Sequence, residues 1–258
     1  MIRFASLASG SKGNCLVVES GPTRVLLDCG LSPRETERRL ARIGLVAADI
    51  SAILVTHEHE DHLGSAFAFA ARHSIGLRLT HGTLRAARAS GKFDALVAVQ
   101  PIESRDPIAI GDLLVLPYTV PHDALEPVQF TFSDGALRLG VLTDIGAPTA
   151  HVAQVLSGCE ALVLECNHQL ELLWSGNYPR WLKERIAGPL GHLDNGASAA
   201  LLGAIDRSRL RHVIAAHLSE RNNRPDLARR ALGAALGCDD KEISVATQED
   251  GFAWRELR

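Results

Sequence analysis

Apolar residues along the chain fall into short runs separated by turn-forming residues, and many of these runs are rich in β-branched side chains. Residues 2–8 and 15–19 read as strands joined by Ser9 to Asn14, and Val25 to Asp28 is a third, ended by Cys29-Gly30. A helix then begins at Ser32, with Pro33 in its first turn and Glu35 closing a capping box. Leu40 and Ile43 form its inward stripe, and Gly44 stops it. Ile50 to Val55 is an apolar run that reads as a buried strand. Beyond it the pattern predicts a helix over 63–74, a strand over 77–80 and a short helix over 82–90. Weak strands follow near 95–99 and 108–110, and a firmer one over 112–120. Residues 128–132 and 137–142 form a hairpin about Asp134-Gly135. A helix near 148–157 leads to a strand at 161–165 and short helices at 169–175 and 179–187. An alanine-rich helix from 195 to about 206, a strand at 212–216, a helix at 225–236 and strands near 242–247 and 251–255 complete the series. No linker, low-complexity tract or tight repeat interrupts it, so one domain over 1–258 is expected. Strands alternate with helices in both halves, and polar residues recur where strands stop. That is an α/β pattern, with sheets covered by helices and a site at one edge.

The polar residues at the strand ends carry the chemistry. Directly after the run 50–55 comes Thr-His57-Glu-His59-Glu-Asp61-His62, the pattern HxHxDH. Three histidines and an aspartate within six positions are far denser than a solvated loop requires. They suit zinc, manganese or iron without any thiolate. The strand 112–120 delivers His122, the second hairpin strand delivers Asp144, and the strand 212–216 ends at His217. Near the start, Ser9-Gly10-Ser11-Lys12-Gly13-Asn14 is open to two readings: a plain turn, or a nest of backbone amides that receives an anion with Lys12.

Composition narrows the class. At 258 residues and 46% hydrophobic, the chain can bury a full core. A net charge of -3 gives no overall basic field for nucleic acid, so such a partner would need a local basic face. Five cysteines without paired spacing read as buried thiols of a reducing compartment. The first ten residues lack the apolar core of a signal peptide, and no apolar stretch reaches the length of a membrane span. A cytoplasmic protein is expected.

HxHxDH followed by His122, Asp144 and His217 resembles the metallo-β-lactamase superfamily, over nearly the whole chain. The resemblance implies a four-layered αββα sandwich with a dinuclear site of two divalent transition metals, zinc or manganese first and iron also compatible. His57, His59 and His122 would hold one metal, Asp61, His62 and His217 the other, and Asp144 would bridge them. Ser-Gly-Ser-Lys-Gly-Asn-Cys near the start, Glu165-Cys-Asn-His168, Gly191-His192-Leu-Asp-Asn and His217-Leu-Ser-Glu-Arg-Asn-Asn are similar to the YycJ/WalJ-type hydrolases, a branch associated with DNA exonuclease activity. The stretch from Gly191-His192 to His217-Leu-Ser is also similar to tRNA 3′-processing nucleases, where the matching histidine lies beside the scissile phosphate. Leu-Asp-Asn after His192 departs from the serine more common in relatives.

On this basis the expected activity is a metal-dependent phosphodiesterase, an exonuclease acting on DNA through a hydroxide shared by two metals. Asp61 and His192 are the catalytic candidates, His192 as proton donor to the leaving oxygen. Ser11, Lys12, Asn14, His168, Arg221 and Arg224 are the candidates for substrate contact. A small-molecule hydrolase cleaving thioesters or lactones on the same site is the alternative, and a binding module that kept the fold is a third reading. His73, His81, His151 and His212 match no motif and are expected to be structural.

Overall fold

The computed structural model describes residues 1–258. Strands β1 (Ile2–Ala8), β2 (Cys15–Ser20) and β3 (Thr23–Leu27) form an antiparallel meander. Helix α1 (Pro33–Arg42) crosses to β4 (Ala52–Leu54), which pairs in parallel with β3. Helix α2 (Ala66–His73), β5 (Leu77–Thr80), α3 (His81–Ala89) and β6 (Val99–Ile102) continue the parallel series. The second half repeats the scheme. Strands β7 (Ile108–Ile110), β8 (Leu113–Thr119), β9 (Val128–Ser133) and β10 (Arg138–Leu142) are antiparallel. After α4 (Ala150–Leu156), β11 (Ala161–Glu165) pairs in parallel with β10. Helices α5 (Leu170–Ser175), α6 (Arg180–Ile186) and α7 (Asn195–Ala204) precede β12 (His212–Ala216). Helix α8 (Pro225–Leu236) and the short β13 (Ser244–Val245) finish that sheet. The final strand, β14 (Phe252–Leu257), returns to the first sheet and pairs antiparallel with β1. The two seven-stranded sheets therefore run β14-β1-β2-β3-β4-β5-β6 and β13-β12-β11-β10-β9-β8-β7.

Three hydrophobic cores separate four layers. Side chains alternate across each strand, so Val25 and Leu27 of β3 enter the core between the sheets while Leu26 enters the core beneath helices α1–α3. Likewise Ala161 and Val163 of β11 face the inner core, and Leu162 and Leu164 meet α4, α7 and α8. Burial on both faces explains why these strands read as continuous apolar runs. The result is the αββα sandwich expected. No helix is long and apolar enough to cross a membrane, and all five cysteines are free.

Two local readings change. The strand expected near 95–99 lies instead at Val99–Ile102. Asp94 accepts hydrogen bonds from the amides of Leu96 (through its side chain, 2.9 Å) and Val97 (through its carbonyl, 3.2 Å), which holds a turn there, and Leu96 is exposed. The capping box of α1 is half made. Ser32 Oγ accepts from the Glu35 amide at 3.3 Å, but the Glu35 carboxylate bonds Arg38 and Arg39 rather than the Ser32 amide.

Candidate metal centre

The seven expected ligands all lie just beyond the carboxyl ends of strands. His57, His59, Asp61 and His62 occupy the loop after β4, His122 follows β8, Asp144 follows β10, Glu165 ends β11, and His217 follows β12. Asp28 follows β3. Three of these residues have left-handed backbones, with φ of 60° at Asp28, 52° at Asp144 and 54° at His217. Such conformations cost about 1–3 kcal/mol each and persist only where the surroundings impose them. The loop of HxHxDH is seated by close backbone approach. A Cβ on Gly30 would lie 1.9 Å from the Asp61 carbonyl oxygen, so only glycine fits there.

The predicted residues converge. His57, His59 and His122 present ligand-competent atoms within 4.8 Å of one another, as do Asp61, His62 and His217. Asp144 belongs to the group of His57 and His62 and also to one with Glu165, His192 and His217. Its Oδ2 lies 2.8 Å from His62 Nε2, and its Oδ1 lies 3.6 Å from His217 Nδ1 and 4.0 Å from His122 Nε2. It thus stands between the two trios. His122 Nε2 is 3.2 Å from His59 Nδ1, and Asp61 Oδ2 is 3.2 Å from His217 Nε2.

Sequence reasoning missed the residues that orient these rings. Asp28 Oδ2 accepts from His62 Nδ1 at 2.7 Å, while its Oδ1 accepts from the amide of Thr56 at 2.8 Å. Glu165 Oε1 accepts from His192 Nδ1 at 2.8 Å, and its Oε2 accepts from the amides of Ile145 and Leu193. Ser9 Oγ accepts from the His217 amide, and Asn167 donates to the His217 carbonyl. A carboxylate closing an otherwise apolar strand, as Asp28 and Glu165 do, is the signal that could have marked them.

The field in the cluster is dominated by carboxylates packed against imidazoles. Burial opposes charge on Asp144, yet His217 and His62 hold its carboxyl well below the usual range. The same contest leaves Asp61 depressed through His62 and His217, and Glu165 at about 2 through His192. Their partners move the other way. Burial works against the charged ring, but Asp144 and Asp61 push His217 up to about 10, and Glu165 raises His192. His57 is pushed well below its ordinary value by burial and by His62, and His122 is lowered by burial.

The donor set fits divalent cations. His57 Nε2 is buried with no hydrogen-bond partner, whereas Asp144 Oδ2 has His62 Nε2 beside it at 2.8 Å. Such an orphan costs about 1–3 kcal/mol, which a bound cation removes. Imidazoles and carboxylates without thiolates match zinc, manganese or iron.

A cavity of about 320 Å³ opens over the cluster, lined by Ser11, His59, Asp61, Asp144, His192 and His217, with Asn167, Tyr178, Arg185 and Ser219 on its walls. The other expected substrate contacts are placed less favourably. His168 is 1% exposed and is not on the cavity wall; its carbonyl accepts from the Asn195 amide, so its place is in the packing beneath the site. Asn14 is buried, and its Nδ2 lies 3.2 Å from Asp61 Oδ2, holding that carboxylate rather than facing the cavity. Lys12 is paired with Glu220 at 2.6 Å, and Arg224 with Asp226 at 3.4 Å. The early loop is a turn, not an open nest. The Lys12 amide donates to Gln248 Oε1, the Gly10 amide to Asn14 Oδ1 and the Gly13 amide to the Gly10 carbonyl.

Fold and cluster together define a metal-dependent hydrolase, and residues 8–162 match the family model described as the metallo-beta-lactamase superfamily, to which the chain belongs. Among individual relatives, the chain is 33% identical to exodeoxyribonuclease YycJ of Bacillus anthracis over 241 residues, covering 91% of this chain and 89% of that protein. It is 31% identical to exodeoxyribonuclease WalJ of Streptococcus pneumoniae over 246 residues, covering 94% and 91% respectively. In structure it is similar to the metallo-beta-lactamase fold protein YhfI from Bacillus subtilis, with a TM-score of 0.77 over 99% of both chains at 13% identity.

Proposed function

We propose that this chain is a metal-dependent phosphodiesterase that removes nucleotides from DNA. The observation that carries the reading is the His192–Glu165 pair, a 2.8 Å contact on the wall of the cavity beside the ligand cluster. An alkoxide leaving group needs a proton, and a histidine held by a buried carboxylate supplies one. The names of the two bacterial relatives support the same substrate.

In this reading His57, His59 and His122 would hold one ion and Asp61, His62 and His217 a second, with Asp144 placed to serve both groups. Bound there, divalent cations would supply Lewis-acid chemistry, making water more acidic and offsetting negative charge on a phosphoryl group. Asp61, kept ionised and fixed by Asn14, orients an attacking water from its side of the cavity. Glu165 fixes His192 through Nδ1, which leaves Nε2 without a partner in the protein and available to the leaving oxygen. Burial opposes charge on the ring, but Glu165 and Asp144 raise the pKa of His192, which favours the protonated, donating form. His217 and His62 must shed protons to serve as ligands, so metal loading weakens as pH falls.

The test compares substrates on protein reconstituted with manganese or zinc. Linear DNA is cleaved, cleavage stops with a chelator and returns with metal, and thioesters and lactones turn over poorly. Thioester hydrolysis without any phosphodiester cleavage overturns the reading in favour of a small-molecule hydrolase.

A further inference from the structure

The loop between α5 and α6, Gly176 to Pro179, brings Tyr178 to the cavity wall near His192. Two tyrosines occur in the chain, and they are used differently. Tyr118 is buried and donates its hydroxyl to the Val141 carbonyl at 2.6 Å. Tyr178 is half-buried, and its hydroxyl makes no hydrogen bond within the protein. The guanidinium of Arg221 lies over its ring, with Cζ 5.7 Å from the centroid. Arg221 belongs to the loop that continues from His217, so this contact joins two segments at the mouth of the site.

Of Lys12, Arg185, Arg221 and Arg224, Arg221 alone has no counter-ion. Lys12 is paired with Glu220, Arg224 with Asp226 and Arg185 with Asp123, whereas Arg221 meets no carboxylate. Arg88 lies over Phe93 in the same way and also without an ion pair, so what sets the Arg221–Tyr178 pair apart is its place: Tyr178 lines the cavity of the site and leaves its hydroxyl unbonded. The same segment exposes Trp174 (48%) and Trp181 (65%), two of the chain's three tryptophans. Aromatic rings interleaved with guanidinium groups along a phosphate-handling groove are the means by which proteins hold unpaired nucleic acid strands.

Resting on the phosphodiesterase reading, we infer that Tyr178 and Arg221 form the seat of one nucleobase beside the phosphate to be cleaved, so that the protein takes DNA as an unpaired strand end. A base inside a duplex has both faces covered by its neighbours and cannot stack on this pair. The unpaired charge of Arg221 serves the strand's backbone at the same place. Overhangs and frayed ends are therefore preferred to blunt duplexes.

The test removes the base and the ring separately and together. Single-stranded oligonucleotides carrying one abasic position, walked through the first four nucleotides from each end, are cleaved by the metal-loaded parent, Tyr178→Ala and Tyr178→Phe. At one position, loss of the base raises KM for the parent about 5- to 100-fold, the range for one base stacked on an aromatic side chain. Tyr178→Ala shows the same rise on intact DNA and no further rise on the abasic strand. Tyr178→Phe, which keeps the ring, recovers most of the loss. 2-Aminopurine at that position is quenched on binding the parent and not on binding Tyr178→Ala. If the parent cleaves DNA but is indifferent to abasic positions, or if Tyr178→Ala still senses them, the base seat is overturned while the nuclease stands. A parent that neither cleaves nor binds DNA overturns both.

Discussion

Asp28 divides its carboxylate between Thr56 and His62, and thereby fixes the ring whose other nitrogen lies 2.8 Å from Asp144. Glu165 does the same for His192. Although both are carboxylates behind an imidazole, the imidazoles they hold serve two different functions. Asp28→Ala frees the His62 ring and lowers metal affinity about 10- to 100-fold, the usual cost of losing an orienting partner of a ligand. His192→Ala leaves metal content intact and lowers kcat about 10²- to 10⁴-fold. Metal titration and kcat on the same preparations check both, and the His192 loss shrinks on a phosphodiester with a good leaving group. A His192→Ala protein that comes out short of metal would make that residue a ligand. The clustered part of the site was legible because HxHxDH packs four donors into six positions. No role was assigned to Asp28 or Glu165, because a carboxylate closing an apolar strand marks a position without revealing which imidazole it will meet. Their role exists only once β3 and β4 lie side by side, or once the loop before α7 meets the end of β11.

At the scale of elements, α1 shows how a mixed charged face is put to use. Its Glu35 is pulled down to about 2 by hydrogen bonds from Arg38 and then Arg39. Arg39 does more than pair with it: its Nη1 donates to the carbonyls of Leu7 and Gln248, tying the helix to β1 and to the turn before β14. Because the folded pKa lies below the ordinary 4.5, the pair contributes stability that is fully present above that value and is lost as pH falls towards 2. Glu35→Gln should lower stability at pH 7 by less than about 1 kcal/mol, since the pair is partly exposed. Thermal melts of parent and variant should converge as pH falls below 4.5; a gap that stays constant with pH means the glutamate acts by something other than charge. The helix itself was legible from Ser32, Pro33 and Gly44, whose signals are local. The partners of its arginines were not, because they lie 32 and 209 positions away.

For the molecule as a whole, the alternation of strands and helices in each half was enough to imply covered sheets, and the site at their edge followed from where polar residues interrupt apolar runs. Sheet membership was beyond that pattern. Nothing local in 99–110 marks the passage from β6, at one sheet's edge, to β7, at the other's. Nor does anything in 252–257 announce pairing with 2–8. Yet β14 supplies Phe252 and Leu257 to the core between the sheets, and Phe252 meets Phe4 edge-on with centroids 5.7 Å apart. Deleting residues 252–258 should uncover the edge of β1 and cost the chain its solubility or its cooperative melt; a truncated protein that stays soluble with the parent's melting temperature would show the strand to be dispensable. The pairing also sets an order of events during synthesis. All strands of the second sheet lie within residues 108–245 and can assemble as soon as they emerge. Ile2, by contrast, waits for Leu257, and at a ribosome's pace of about 5–20 residues per second that delay is roughly 13 to 50 s. Throughout it the nascent chain carries an apolar strand with one bare edge, so the first sheet to begin is the last to close.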